Sequence, residues 1–403
     1  MSGRLSLTGC SIVDPSSGLS VEGNILCEDG KIVSIGHVPL PSRSTIIDCK
    51  GMHVVPGLID MHVHMTSTPY GDLDAPMRPR PISYLCAQAA TNLQEALNCG
   101  VTTVRDLGSP GRTAFLIKDR WSRGAIRGAR PYISGPVITA VKGHGWWMGF
   151  ECRTAEDVMR AAEENIRNGA DVIKVTMRSA FPSSPELTSE QVDTAIATAH
   201  RRGVPVAIHA HFSEASIVVA IRAGCDTLEH GYVLSDLSVG VMRAKGIALC
   251  PTLSAIRAIL DHQADYRTWR GREVVEAAEE NWESAQRSVR LAHENGVSII
   301  AGTDAGLPLV GFGSLASELE CLVELGLSCR EALNAGTAGA AVALGRADIG
   351  RMVENCRADL VVLAANPLEN IAALREVRMV IQGGRVVVDR PAVGKTNWTT
   401  TTP

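Results

Sequence analysis

At 403 residues and roughly 150 per domain, the chain has room for two or three domains and a large core. Forty-five per cent of the residues are hydrophobic, 20% are charged, and no apolar run approaches the ~18 residues of a membrane span, which excludes disordered, fibrous and transmembrane classes. The 39 Lys and Arg against 43 Asp and Glu give a net charge of -4 with both signs dispersed, so no basic surface marks a nucleic-acid or membrane partner, and the function must come from a site.

Residues 1 to 55 read as a small β unit with strands at 6–13, 23–28, 31–36 and 44–48, the middle pair joined by the hairpin signal Asp29-Gly30. Met1 to Cys10 lacks a charged-then-apolar leader, and the eleven cysteines are scattered without a Cys-x-x-Cys pair. Both features point to a reducing, cytoplasmic setting and against a disulfide framework or a thiolate zinc site.

From Val54 onward, strand and helix signals alternate. Candidate strands lie at 54–64, 101–106, 131–135, 171–175, 204–210, 227–230, 248–252 and 298–304. Helical patterns at 83–98, 154–168, 188–202, 272–295 and 315–325 intervene, and Thr154-x-x-Asp157 and Thr188-x-x-Gln191 have the form of capping boxes. Eight such units over about 290 residues predict an α/β fold, a (β/α)8 TIM barrel spanning 56–345. A doubly wound sheet would want a Gly-rich phosphate turn after the first strand, and Val55-Pro56-Gly57-Leu58-Ile59-Asp60 has none. Strands at 359–363, 377–382 and 385–389, the last two joined by Gly383-Gly384, return to β texture. Residues 346–395 are therefore expected to join 1–55 in one small β-sandwich domain.

A barrel builds its active site at the carboxyl ends of its strands. Those ends carry His62 and His64, then Lys174, His209, His230 and Asp304, each the polar residue closing an apolar run. His62 and His64 are two apart in a strand, so both imidazoles face one way and can meet one cation. Any one of these residues alone fits a hydrogen-bonded core or rim side chain; the six together, on five strands, point to a metal site.

Around them, Trp146 and Trp147 suit an aromatic wall or plain loop packing. Arg178, four residues beyond Lys174, suits a bidentate grip on a substrate carboxylate or an ordinary surface position. His211 and Tyr232, each two residues past a ligand candidate, point toward the same mouth, and Asp60 and Asp106 suit the support of ligands rather than contact with substrate.

The runs from Val55 to His64, Ile173-Lys174-Val175, Ile208-His209-Ala210-His211, Leu228-Glu229-His230-Gly231 and Gly302 to Gly306 resemble the amidohydrolase superfamily. Within it they resemble the imidazolonepropionase-related branch that contains Xaa-Pro and Xaa-Arg dipeptidases and N-acyl-amino-acid hydrolases. The likeness covers nearly the whole chain, because Ala358 to Leu363 with Asn366-Pro367 matches the returning β domain.

The resemblance implies two divalent metal ions, zinc first, with manganese, cobalt or iron as alternatives. His62, His64 and Asp304 would hold one ion, His209 and His230 the other, and Lys174, carboxylated by carbon dioxide, would bridge them. It implies attack of a metal-bridging hydroxide on an amide of a dipeptide or N-acyl amino acid, with Asp304 moving the proton. His144, in Gly143-His144-Gly145, would contact substrate or transition state. A small-molecule substrate and a homo-oligomer are implied, with no nucleic-acid or membrane partner.

Alternatives are a mononuclear cyclic-amide hydrolase or heterocycle deaminase, hydrolysis of a lactam, carbamate or ester, and a silent scaffold. Two departures concern specificity: Met177 to Pro182 replaces a Gly-Gly stretch common among relatives, and the 307–313 loop lacks a histidine often found there.

Overall fold

In the computed structural model, residues 3–39, 41, 44–70, 77–177, 185–265 and 272–390 are described. The chain begins with strands β1 (Arg4–Asp14), β2 (Leu19–Glu28), β3 (Lys31–Gly36), β4 (Thr45–Asp48) and β5 (His53–Pro56). β2 and β3 form the expected hairpin: Asp29 and Gly30 have φ of 51° and 79°, the left-handed pair that a two-residue turn between right-twisted strands requires. The chain ends in β15 (Leu360–Leu363), β16 (Val377–Gln382) and β17 (Arg385–Asp389), with Gly383 and Gly384 turning between the last two at φ 56° and 71°.

The two ends of the chain meet where β15 pairs antiparallel with β5, Leu360 opposite Pro56. The hydrogen-bonded order is β17-β16-β15-β5-β1-β2-β3, with β4 on β1, so the expected sandwich is drawn as one eight-stranded sheet. Its inward residues, among them Leu7, Ile12, Ile25, Ile32, Leu360 and Ile381, close on one another as a separate apolar core.

Between these ends lie β6 (Leu58–Val63), β7 (Val101–Asp106), β8 (Arg130–Ile133), β9 (Val137–Ala140), β10 (Gly149–Cys152), β11 (Ile173–Thr176), β12 (Val206–Ala210), β13 (Thr227–His230) and β14 (Ala248–Cys250), all in parallel ladders. Helices lie between them, and the capping boxes at Thr154/Asp157 and Thr188/Gln191 both form. No helix among the described residues is long and apolar enough to cross a membrane.

The ladders make a three-stranded arc, β6-β7-β8, and a six-stranded arc, β10-β9-β11-β12-β13-β14, rather than one closed ring. Two breaks account for this. The expected third strand, 131–135, stops at Ser134-Gly135-Pro136, where Gly135 takes φ 74° and Pro136 has no N–H to give, and the chain resumes as β9, so β8 pairs with β7 and β9 with β11. The expected eighth strand, 298–304, is irregular. It touches β14 at Ile299 and β6 at Ala305 through single bridges, because the Thr303 hydroxyl turns to Asp60 and Asp304 adopts φ 61°. It still lies between the two arcs, with Ile300 N–H donating to Leu249 (2.9 Å) and Met61 N–H donating to Ala301 (2.9 Å).

Candidate metal centre

Strand register places the ligand candidates. Lys174 on β11 stands opposite Ala207, two residues before His209 on β12, so Lys174 and His209 share a face one layer apart. His209 in turn stands opposite Glu229 on β13. In a regular strand Glu229 and His230 would face opposite ways. A φ of 73° at His230 bends the chain at the strand end, and both side chains enter the same region. His230 and Asp304 are thus both non-glycine residues in the left-handed region, a costly conformation that clusters at functional sites.

The imidazoles are held by one nitrogen each. His62 Nδ1 lies 2.8 Å from Glu229 Oε2, His64 Nδ1 3.3 Å from the Gly108 carbonyl, and His230 Nδ1 2.7 Å from Thr252 Oγ1. Their Nε2 atoms are left for the centre: those of His62 and His64 lie 3.4 and 3.2 Å from Asp304 Oδ1. Ligand atoms ~2.1 Å from one ion in tetrahedral geometry sit about 3.4 Å apart, so this spacing suits a divalent metal. Ligand atoms of His62, His230 and Asp304 all fall within 4.8 Å of one another. Lys174 Nζ, His209 Nε2 and His230 Nε2 are buried without a hydrogen-bond partner. Buried polar atoms are rarely left so, and several at one place imply a bound group that satisfies them. The donor set therefore fits metal ions.

The electrostatics agree. Burial, with Lys174 adding to it, draws His62 down to about 4, and burial with repulsion from neighbouring histidines holds His209 and His230 well below the usual range, so these rings are neutral at pH 7, the form a metal ligand needs. For His64 burial acts downward, but the hydrogen bond and charge of Asp304 outweigh it and the net direction is up. Burial would raise Asp304, yet the surrounding histidines hold it well below the carboxylate range as a permanent anion. Lys174 is drawn down to about 8 by burial, against the opposing pull of Glu229 and Asp304.

These residues floor a cleft of about 410 Å³. His62, His64, His144, Trp146, Trp147, Lys174, His209, His211, His230, Tyr232 and Asp304 all line it. His144 stacks on His209 with ring centroids 4.2 Å apart, and its carbonyl accepts from Thr176 at 2.7 Å. His211 lies parallel to Tyr232 at 5.9 Å, while the Tyr232 hydroxyl is engaged with Thr252 Oγ1 at 3.0 Å. Trp146 stands exposed at the rim with Trp147 half-buried beside it. Arg178 lies outside the described residues. Asp60 binds the His62 N–H and the Thr303 N–H and hydroxyl, bolting β6 to the 298–304 segment, and Asp106 holds Met65 N–H and the Ser109 hydroxyl. Both support backbone rather than rings.

Sequence reasoning gave no role to Glu229 or Arg105, which pair at 2.8 Å and are both buried behind His62. Their signal was present: Arg105 in Val-Thr-Thr-Val-Arg-Asp and Glu229 in Thr-Leu-Glu-His are opposite charges inside strands otherwise built for burial.

The amidohydrolase family model matches residues 53–387. Ochratoxinase of Aspergillus niger is 28% identical over 95% of this chain and 86% of its own. A solved structure from Bifidobacterium longum, assigned as a prolidase, is 31% identical with a TM-score of 0.85 and covers 97% of this chain and 96% of its own. A Xaa-Pro dipeptidase solved with methionine in its active site is 27% identical with a TM-score of 0.86, covering 95% and 99%.

Proposed function

The chain belongs to the amidohydrolase family and is a hydrolase, and on that premise we propose that it cleaves the amide bond of a dipeptide or N-acyl amino acid bearing a free carboxylate, using two divalent metal ions. The observation that carries this reading is the set of buried, unpartnered donor atoms on Lys174, His209 and His230 beside the His62, His64 and Asp304 cluster. We read 56–345 as a (β/α)8 barrel presenting these residues, and 1–55 with 346–395 as its β domain.

His62, His64 and Asp304 would hold one ion, His209 and His230 the second, and Lys174 would join them as a carbamate. An ammonium there would repel two cations, whereas a carbamate offers two anionic oxygens. The lysine is suited to that modification, since burial draws it to about 8 and enlarges the neutral amine fraction that reacts with carbon dioxide. Zinc is the expected metal. Bound metal supplies a water of lowered pKa and polarises the scissile carbonyl.

The protein's own residues do the rest. Asp304, kept ionised by its histidines, accepts a proton at the carboxylate oxygen not turned to His62 and His64 and returns it to the leaving nitrogen. His144, packed on His209 and facing the cleft, orients the substrate carbonyl or meets charge that develops there.

The cleft walls favour an apolar substrate group: Met77, Leu107, Trp147, Phe212, Ile256 and Ile259 line it. Among the described lining residues, the cationic side chains are Lys174 in the floor and Lys142 at the exposed rim. Lys142 is held in the left-handed region at φ 57°, with its N–H 2.6 Å from Glu151 Oε2, and so is placed to meet a substrate carboxylate as the apolar part goes inward. Dipeptidase and prolidase relatives support the peptide-like class.

The test is elemental analysis of protein grown with zinc and bicarbonate, beside a ninhydrin screen of dipeptides and N-acetyl amino acids. Two metals per chain with release of an apolar amino-acid class is the expected result. One metal with release of ammonia from a heterocycle would overturn the reading in favour of a mononuclear deaminase.

A further inference from the structure

Behind His62, on the side away from the cleft, lies a closed polar network across three strands. Glu229 Oε2 takes His62 Nδ1 at 2.8 Å, and Glu229 Oε1 accepts from Arg105 Nη2 at 2.8 Å and from Thr227 Oγ1 at 2.5 Å. Arg105 Nη1 donates to Thr227 Oγ1 at 3.0 Å, and its Nε donates at 2.6 Å to the carbonyl of Met61, the residue before His62. Glu229 is 0% and Arg105 2% exposed. Arg105, 2.8 Å from Oε1 and buried with it, is the counter-ion that lets Glu229 stand in the core as a carboxylate.

A dry ion pair costs desolvation that an apolar pair of the same volume would avoid, so its presence calls for a role beyond packing. Histidine left to itself favours the tautomer with its proton on Nε2, which has no lone pair there for a metal. A carboxylate beside Nδ1 reverses the preference: Nδ1–H donates to Glu229, and the Nε2 lone pair faces the cleft, 3.4 Å from Asp304 Oδ1. His64 and His230 have only neutral partners at Nδ1, a carbonyl and a hydroxyl. Of the three, His62 alone has its ring fixed at Nδ1 by a charged, acceptor-only group.

Building on the metal reading above, we propose that Glu229, with Arg105 as its counter-ion, is a positioning residue that fixes the tautomer and aim of His62 and makes the His62, His64 and Asp304 position the tighter of the two metal positions.

The test compares the wild type with Glu229→Gln and with the double variant Arg105→Met/Glu229→Leu, which removes both charges together and so avoids stranding one in the core. In metal-free protein labelled with 15N-histidine, His62 is expected to give the Nδ1-protonated pattern in the wild type and the Nε2-protonated pattern in the double variant. Chelator competition with zinc should show one of two equivalents weakened ~10- to 100-fold in both variants, the other unchanged. Wild-type affinity for both equivalents with an unchanged tautomer would overturn the proposal. If the wild type takes up no zinc while the tautomer still changes, the metallohydrolase reading is what fails, and the affinity claim falls with it.

Discussion

Two cavities lie at opposite ends of the parallel strands, and the larger is the less informative. The groove at the amino ends, lined by Asp171, His200, Asp226, His293, Arg330 and Glu331, encloses about 1610 Å³, against about 410 Å³ for the cleft at the carboxyl ends. In the groove the polar groups are engaged: His200 lies 2.8 Å from Asp226, His293 3.3 Å from Glu331, Lys118 2.7 Å from Asp171, and Arg330 donates to the Pro15 carbonyl at 2.8 Å. In the cleft the buried atoms of Lys174, His209, His211 and His230 have no partner, and two neighbouring residues sit in a strained backbone conformation. Unsatisfied chemistry, rather than volume, separates a reactive site from a surface hollow.

Replacing Lys174 with Ala strikes the cleft hardest. Losing a metal-held water and carbonyl polarisation forfeits several kcal/mol of transition-state stabilisation, so turnover should fall at least about 10³-fold with loss of metal, and short carboxylic acids should restore part of it. Wild-type turnover in Lys174→Ala would erase the distinction between the two cavities.

A pH series sharpens the same point. With Lys174 drawn from 10.5 to about 8, the amine is mostly protonated and inert toward carbon dioxide below pH 8 and mostly neutral above it. With dissolved carbon dioxide held constant, reactivation of metal-free protein by zinc should therefore speed up from pH 7 to 9 and then level off; a rate that falls over that range at constant carbon dioxide would contradict the carbamate. Lys142→Met should cost less, about 5-fold in KM for carboxylate-bearing substrates, as suits a rim charge in water, with neutral amides unaffected. Equal effects on both substrate types would remove Lys142 from recognition. In the groove, Asp226→Asn should leave kcat/KM within about 2-fold, and a large loss there would show that paired charges had been misread as inert.

The cluster of candidate residues was legible because each lies at the carboxyl end of a largely apolar strand, so the barrel register alone brings them together. The Asp29-Gly30 and Gly383-Gly384 turns and both capping boxes were legible for a similar reason, since local backbone chemistry dictates them. What escaped depends on contacts distant in sequence. Glu229 and Arg105 are 124 positions apart and gain meaning only through His62. The break at Gly135-Pro136 and the irregular 298–304 segment arise because each must serve two neighbours at once, the latter by giving Thr303 to Asp60 and turning Asp304 toward His62 and His64. Asp60 was expected to orient ligand side chains, and its contacts are instead with the His62 and Thr303 N–H groups and the Thr303 hydroxyl.

The most direct measurement is a crystal structure of zinc-loaded protein with anomalous data collected across the zinc edge. Two peaks in the carboxyl-end cleft, one against His62, His64 and Asp304 and one against His209 and His230, with extra density on Lys174 Nζ between them, are expected. Zinc absent from that cleft, or bound instead among the paired charges of the amino-end groove, would contradict the assignment.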